Sequence, residues 1–218
     1  MRFLTVYCLL AIGDLLSFTV FRDMPWVEAV FKPALMVSLG IWYYVATRTG
    51  GRNPFIVAAI AFSLLGDVFL LEPTGFVFGL GAFLVAHISY ILAFYRDNVL
   101  PVFFQKDRLG WALLITIYGA ILLYVLLPNL GELKIPVVIY AVTILTMLLT
   151  ALNRWKYVRK ESFWSVMAGA SLFVISDSLL AVNKFVSPFM GAGVFIMVTY
   201  AVGQYLMVSG ALKRGGKL

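Results

Sequence analysis

The sequence predicts an all-α polytopic membrane helix bundle of eight transmembrane helices, with N- and C-termini cytoplasmic. Three observations predict it: the composition, eight separate apolar segments of spanning length, and a one-sided distribution of Lys and Arg. Hydrophobic residues fill 62% of the 218 positions and charged ones only 12%. A soluble domain is nearer half apolar and a quarter charged. One core in a chain of this size cannot hide so much apolar surface, so lipid must cover the excess.

A helix that spans the hydrocarbon needs roughly 17–25 apolar residues. The segments 3–21, 28–46, 54–71, 76–95, 110–128, 133–152, 163–182 and 188–212 meet that requirement. Turn and helix-start signals separate them: Met24-Pro25, Gly50-Gly51-Arg52-Asn53-Pro54, Glu72-Pro73-Thr74-Gly75, Pro128-Asn129 and Ser187-Pro188. The first segment follows Arg2 as a signal peptide would. Gly13 and Asp14 interrupt it, however, and no small-residue cleavage site follows, so it reads as a retained helix. No polar stretch exceeds about 15 residues, so residues 1–218 read as a single integral membrane domain. Cys8, inside the first segment, reads as a buried, inert thiol and excludes an intrachain disulfide framework.

Orientation follows from the basic residues in alternate loops. Arg2, Arg48, Arg52, Arg96, Lys106, Arg108, Arg154, Lys156, Arg159, Lys160, Lys213, Arg214 and Lys217 fall on one side, and only Arg22, Lys32, Lys134 and Lys184 on the other. The first side is therefore cytoplasmic. The pI of 9.6 is then a consequence of topology, and no nucleic-acid partner is expected. An internal echo at an offset of 110 residues aligns Asp67 with Asp177, Tyr90 with Tyr200 and Tyr95 with Tyr205, as two parallel four-helix halves would.

An ionisable residue within a span is costly and asks for a reason. Asp14, Asp67, His87 and Asp177 are such residues, with Lys32 near a helix end. The topology sets their depth. Asp67 and Asp177 lie near the outer ends of the third and seventh helices, and Lys32 near the outer start of the second. Glu72, Asn183 and Lys184 cap the same layer. His87 and Tyr90, three apart on the fourth helix, and Tyr200 and Gln204, four apart on the eighth, lie deeper. Ser63 sits one turn below Asp67. A polar cavity opening outward and lined by helices 2, 3, 4, 7 and 8 satisfies all of these groups. The structural alternatives are ion-paired aspartates acting as glue, a packed histidine and interface tyrosines; Asp14 reads as structural or pathway-lining. Gly75 and Gly79 fit a small-residue packing pair.

Two carboxyl groups facing one low-dielectric cavity can hold one proton between them, giving an acid beside an anion, the pairing used in general acid/base hydrolysis. The chain offers no Ser-His-Asp arrangement, no histidine metal pair and no phosphate-cradling glycine loop. A carboxylate mechanism with no metal and no cofactor is the expectation.

Several stretches resemble the YhhN family of membrane proteins, which includes the lysoplasmalogenases. They are Lys32-Pro33-Ala34-Leu35, Phe62-Ser63-Leu64-Leu65-Gly66-Asp67, Gly79-Leu80-Gly81-Ala82-Phe83 and Ala86-His87-Ile88-Ser89-Tyr90. Phe173-Val174-Ile175-Ser176-Asp177-Ser178-Leu179-Leu180-Ala181 follows, leading into Asn183-Lys184-Phe185, and then Thr199-Tyr200 with Gln204-Tyr205-Leu206. The resemblance implies an eight-helix hydrolase that cleaves the vinyl ether of a lysoplasmalogen to a fatty aldehyde and glycerophosphoethanolamine or glycerophosphocholine. Asp67 and Asp177 would be its catalytic pair. Lys32 and Lys184 would meet the lysophospholipid phosphate and Glu72 an ethanolamine ammonium, with the chain in the cytoplasmic membrane of a bacterium. The rival reading is a proton-coupled transporter or lipid-binding protein that uses the same cavity, with the two aspartates as proton carriers.

Overall fold

The computed structural model describes residues 2–97 and 106–215. Lys217, counted above with the basic tail, lies outside them. Eight α-helices follow in order: α1 (Arg2–Ser17), α2 (Pro25–Ala46), α3 (Pro54–Leu70), α4 (Phe76–Tyr95), α5 (Leu109–Leu126), α6 (Lys134–Asn153), α7 (Lys160–Ala181) and α8 (Ala192–Leu212). Among the described residues there is no strand.

The helix ends follow local chemistry more closely than apolarity does. Pro25 and Pro54 open α2 and α3, where the missing N–H is harmless and the fixed φ suits a helix. The second helix therefore begins at Pro25 and not at residue 28. Asn53 caps α3 by accepting a hydrogen bond from the Phe55 N–H at 3.0 Å. The first helix ends at Ser17, whose hydroxyl donates back to the Asp14 carbonyl at 2.6 Å, so it is shorter than the apolar run to residue 21. Helix α8 starts at Ala192, after Gly191 turns the chain at φ +78°, a conformation that favours glycine. Helix α7 runs on into a π-helical turn, Val182–Val186.

All eight apolar segments form helices, but among the described residues six, not eight, are long and apolar enough to cross a bilayer: α2, α4, α5, α6, α7 and α8 with their extensions. The other two fall short because Ser17 ends α1 early and prolines flank the 17-residue α3. Large apolar side chains such as Leu9, Trp26, Ile41, Phe78 and Ile135 stand exposed around the bundle, on the surface that lipid covers. Cys8 is among the exposed residues of α1 and is not buried as the sequence suggested, because it lies on the outer side of that helix with Leu9.

Small residues let α7 and α8 pack backbone to backbone. A Cβ on Gly169 would stand 2.7 Å from both the Gly203 carbonyl oxygen and the Met207 nitrogen, and neither backbone atom can yield. A Gly169→Leu variant should lose about 1–3 kcal/mol of stability. It should melt at a lower temperature in detergent, and an unchanged melting temperature would contradict this packing.

The basic residues gather at one end of the bundle. Asp97, at the end of α4, is buried between Arg154 (2.6 Å) and Arg214. Arg108 donates to the carbonyls of Asn153 (2.9 Å) and Trp155 (2.7 Å), tying the start of α5 to the end of α6. Lys156 bonds Asp107 at 2.8 Å and holds that exposed carboxyl below the usual carboxylate range.

Candidate active site

A cavity of about 500 Å³ enters the bundle at the end opposite the arginine cluster, lined by α2, α3, α4, α7 and α8. Its size suits a small-molecule site. Asp67 reaches it from α3 and Asp177 from α7, with Lys32, Glu72, Asn183, Lys184 and Tyr200 around them. Seven of the eleven residues singled out in the sequence thus line one wall. The other four, Ser63, His87, Tyr90 and Gln204, are fully buried behind it and do not face the cavity. The lining of α7 has a helical cause: Ser176, Asp177, Leu180, Asn183 and Lys184 recur at one-face spacing.

Each carboxyl group has its own tyrosine. The Tyr200 hydroxyl donates to Asp67 Oδ2 at 2.7 Å, and the Tyr140 hydroxyl to Asp177 Oδ2 at 2.5 Å. Behind Tyr200, a buried relay runs from the Tyr90 hydroxyl to Gln204 Oε1 (2.7 Å) and from Gln204 Nε2 to Ser63 Oγ (2.9 Å). These three residues lock α3, α4 and α8 together and orient the floor beneath Asp67. Phe173 packs edge-on against both Tyr200 (5.4 Å) and His87 (4.8 Å), joining the surroundings of the two carboxyls. The bonding does not follow the 110-residue echo, since Tyr90 serves Gln204 while Tyr140 serves Asp177.

The cavity carries charge of both signs. Lys32 Nζ sits 3.1 Å from Glu28 Oε1, one helical turn earlier on α2. Lys184 Nζ stands 4.4 Å over the Phe76 ring, a cation–π contact. Two lysines and two glutamates among the lining residues supply partners for both charges of a zwitterion. Asp14, by contrast, is buried on α1 with neither carboxyl oxygen hydrogen-bonded, and it does not line the cavity. Among the described residues no three His, Cys, Asp or Glu side chains group as metal ligands do.

A second, smaller cavity of about 60 Å³ adjoins the first. It is walled by apolar side chains including Leu80, Leu122, Val137, Ile144 and Val174, and it shares Leu70, Phe76, Phe83, Leu180 and Asp177 with the larger one. Asp177 therefore stands where polar and apolar space meet. Tyr140, which the sequence reading missed, lines the apolar side. Its signal was present: a lone tyrosine on the sixth helix, in the same half of the bundle as Asp177. Glu28 was also missed, although it lies four residues before Lys32, within reach on one helix face.

Fold and site together define a multi-pass integral membrane protein with a carboxylate-bearing cavity inside a helix bundle. The YhhN family profile matches residues 27–211, and the chain belongs to that family. It is similar to the human protein "Lysoplasmalogenase TMEM86B", 30% identical over 88% of this chain and 78% of the relative. The "Lysoplasmalogenase" of Mycobacterium bovis is 32% identical over 92% of this chain and 79% of its own length. The "Uncharacterized membrane protein YhhN" of Escherichia coli O157:H7 is 25% identical over 86% and 88% respectively. No solved structure matches the chain.

Proposed function

We propose that this protein is a membrane hydrolase that cleaves the vinyl ether bond of a lysoplasmalogen, releasing a fatty aldehyde and a glycerophospho-ethanolamine or -choline. The relatives named lysoplasmalogenase supply the substrate class. The observation that carries the reading is Asp177, which lines both the polar cavity and the apolar one. In a lysoplasmalogen the vinyl ether occupies the corresponding junction between a zwitterionic head and an apolar chain.

A vinyl ether hydrolyses when its β-carbon is protonated. That carbon belongs to the chain, so it would lie on the apolar side, next to Asp177. Asp177 then acts as the general acid, with its Oδ2 held by Tyr140 and its other oxygen free to present the proton. The positive charge that develops on the ether carbon and oxygen is stabilised by ionised Asp67, which Tyr200 orients. Water adds to that carbon and yields its proton to a carboxylate. The hemiacetal collapses to aldehyde and free alcohol, and the proton count closes. Lys32 and Lys184 meet the phosphate, and Glu28 and Glu72 meet the ammonium.

In this reading the chain forms one membrane domain, both termini are cytoplasmic, and the cavity opens on the far side. A Lys32→Met variant is expected to raise KM about tenfold with kcat nearly unchanged, as loss of one charged hydrogen bond to a non-reacting phosphate does. A fall in kcat at constant KM would remove Lys32 from that role.

The test of the function is product analysis with purified protein in detergent. A lysoplasmalogen should yield free aldehyde, carrying one deuterium beside the carbonyl when the reaction is run in deuterated water. Absence of aldehyde, or proton-driven solute uptake by vesicles without any product, would favour the transporter instead.

A further inference from the structure

His87 is buried completely on α4, and neither ring nitrogen has a hydrogen-bond partner. An unpaired buried polar group carries its full desolvation cost, and an apolar side chain would fill the space without it. The ring is held edge-on between Tyr140 (5.2 Å) and Phe173 (4.8 Å), which fixes its plane. Its Nε2 lies 3.8 Å from Asp177 Oδ2, beyond hydrogen-bonding reach by roughly half an ångström. The same oxygen already accepts from Tyr140. The caged ring cannot close the gap, but a small rotation of the Asp177 side chain can.

We propose that His87 is a positioning residue for Asp177, its Nε2–H becoming a second donor to the Asp177 carboxylate once that group has given its proton to the substrate. The inference rests on the reading of Asp177 as the acid. The proton leaves the Asp177 oxygen for the β-carbon, and the electron pair of the O–H bond stays on the carboxylate. The neutral imidazole keeps its own proton throughout and lends only a hydrogen bond. When the carboxyl regains a proton from the added water, the contact opens again to the distance seen here. A sterically caged ring with an idle donor is therefore paired with a partner whose charge appears during the reaction.

The experiment compares aldehyde release by the parent, His87→Leu and His87→Gln in one detergent preparation. His87→Leu is expected to lower kcat about tenfold with KM within about twofold, and to enlarge the solvent isotope effect on kcat. His87→Gln, which keeps an N–H donor, is expected to recover most of the loss. Unchanged kcat in His87→Leu would overturn the proposal. So would equal losses of kcat, KM and thermal stability in both variants, since His87 would then serve packing alone. A parent that releases no aldehyde would bring down the functional reading itself, and this proposal with it.

Discussion

Asp177→Asn is expected to remove aldehyde release almost entirely, lowering kcat by about 10²–10⁴ while leaving KM close to that of the parent. Asparagine has the shape of aspartic acid and keeps an oxygen to accept from Tyr140, so the packing of α6 against α7 should persist. What it lacks is a proton acidic enough to reach carbon. In the proposed mechanism Asp67 faces the developing cation and the lysines and glutamates of the cavity serve the headgroup, which leaves Asp177 as the source of the proton. The measurement is steady-state kinetics on the purified variant, with its melting temperature recorded alongside. A folded variant that turns over at the parent's rate would take the acid role from Asp177.

Asp67→Asn should lower kcat by about 10²–10³ through a different loss, the removal of an anion beside a developing cation. Tyr200 can still donate to the amide oxygen, and the Tyr90–Gln204–Ser63 relay below it is untouched. The neutral side chain nevertheless no longer offsets the charge on the ether carbon. Because acid and anion act in one step, the double variant Asp67→Asn/Asp177→Asn should be little worse than the weaker single variant. Fully additive losses would mean that the two carboxyl groups serve separate steps.

Much of the site was legible in the sequence because membrane burial makes polar residues conspicuous. Lys32, Asp67, Glu72, Asp177, Asn183 and Lys184 were placed in one layer by helix direction and depth alone, and they line one cavity, which Tyr200, read as lying deeper, also reaches. Depth does not give rotation about the helix axis, however. Ser63, His87, Tyr90 and Gln204 share helices with cavity residues yet point into the packed interior, where they hold one another or remain unpaired. Tyr140 was overlooked for the converse reason, since helix α6 carries no charge within its apolar run to draw the eye. Fold class followed from composition, whereas helix ends followed from caps and prolines, which is why α1 closes at Ser17 and α2 opens at Pro25.

In the proposed function, the adjoining cavities would let one small bundle meet both halves of an amphipathic substrate. Phe76, Phe83, Leu70 and Leu180 belong to both linings, so the apolar chain and the charged head would meet across a rim only a few side chains wide. The close packing of α7 on α8 through Gly169 and Gly203 holds Asp177 and Tyr200 at fixed positions on either side of that rim. A fixed backbone scaffold favours electrostatic stabilisation, because only small side-chain movements are then needed as charge develops.

The most direct test sets the parent beside Asp67→Asn and Asp177→Asn, with aldehyde release from one lysoplasmalogen measured for all three at matched folded protein. The account predicts aldehyde from the parent and almost none from either variant, with melting temperatures that stay close together. Aldehyde from both variants at the parent's rate would contradict it, because the bond would then be broken without the two carboxyl groups on which the mechanism stands.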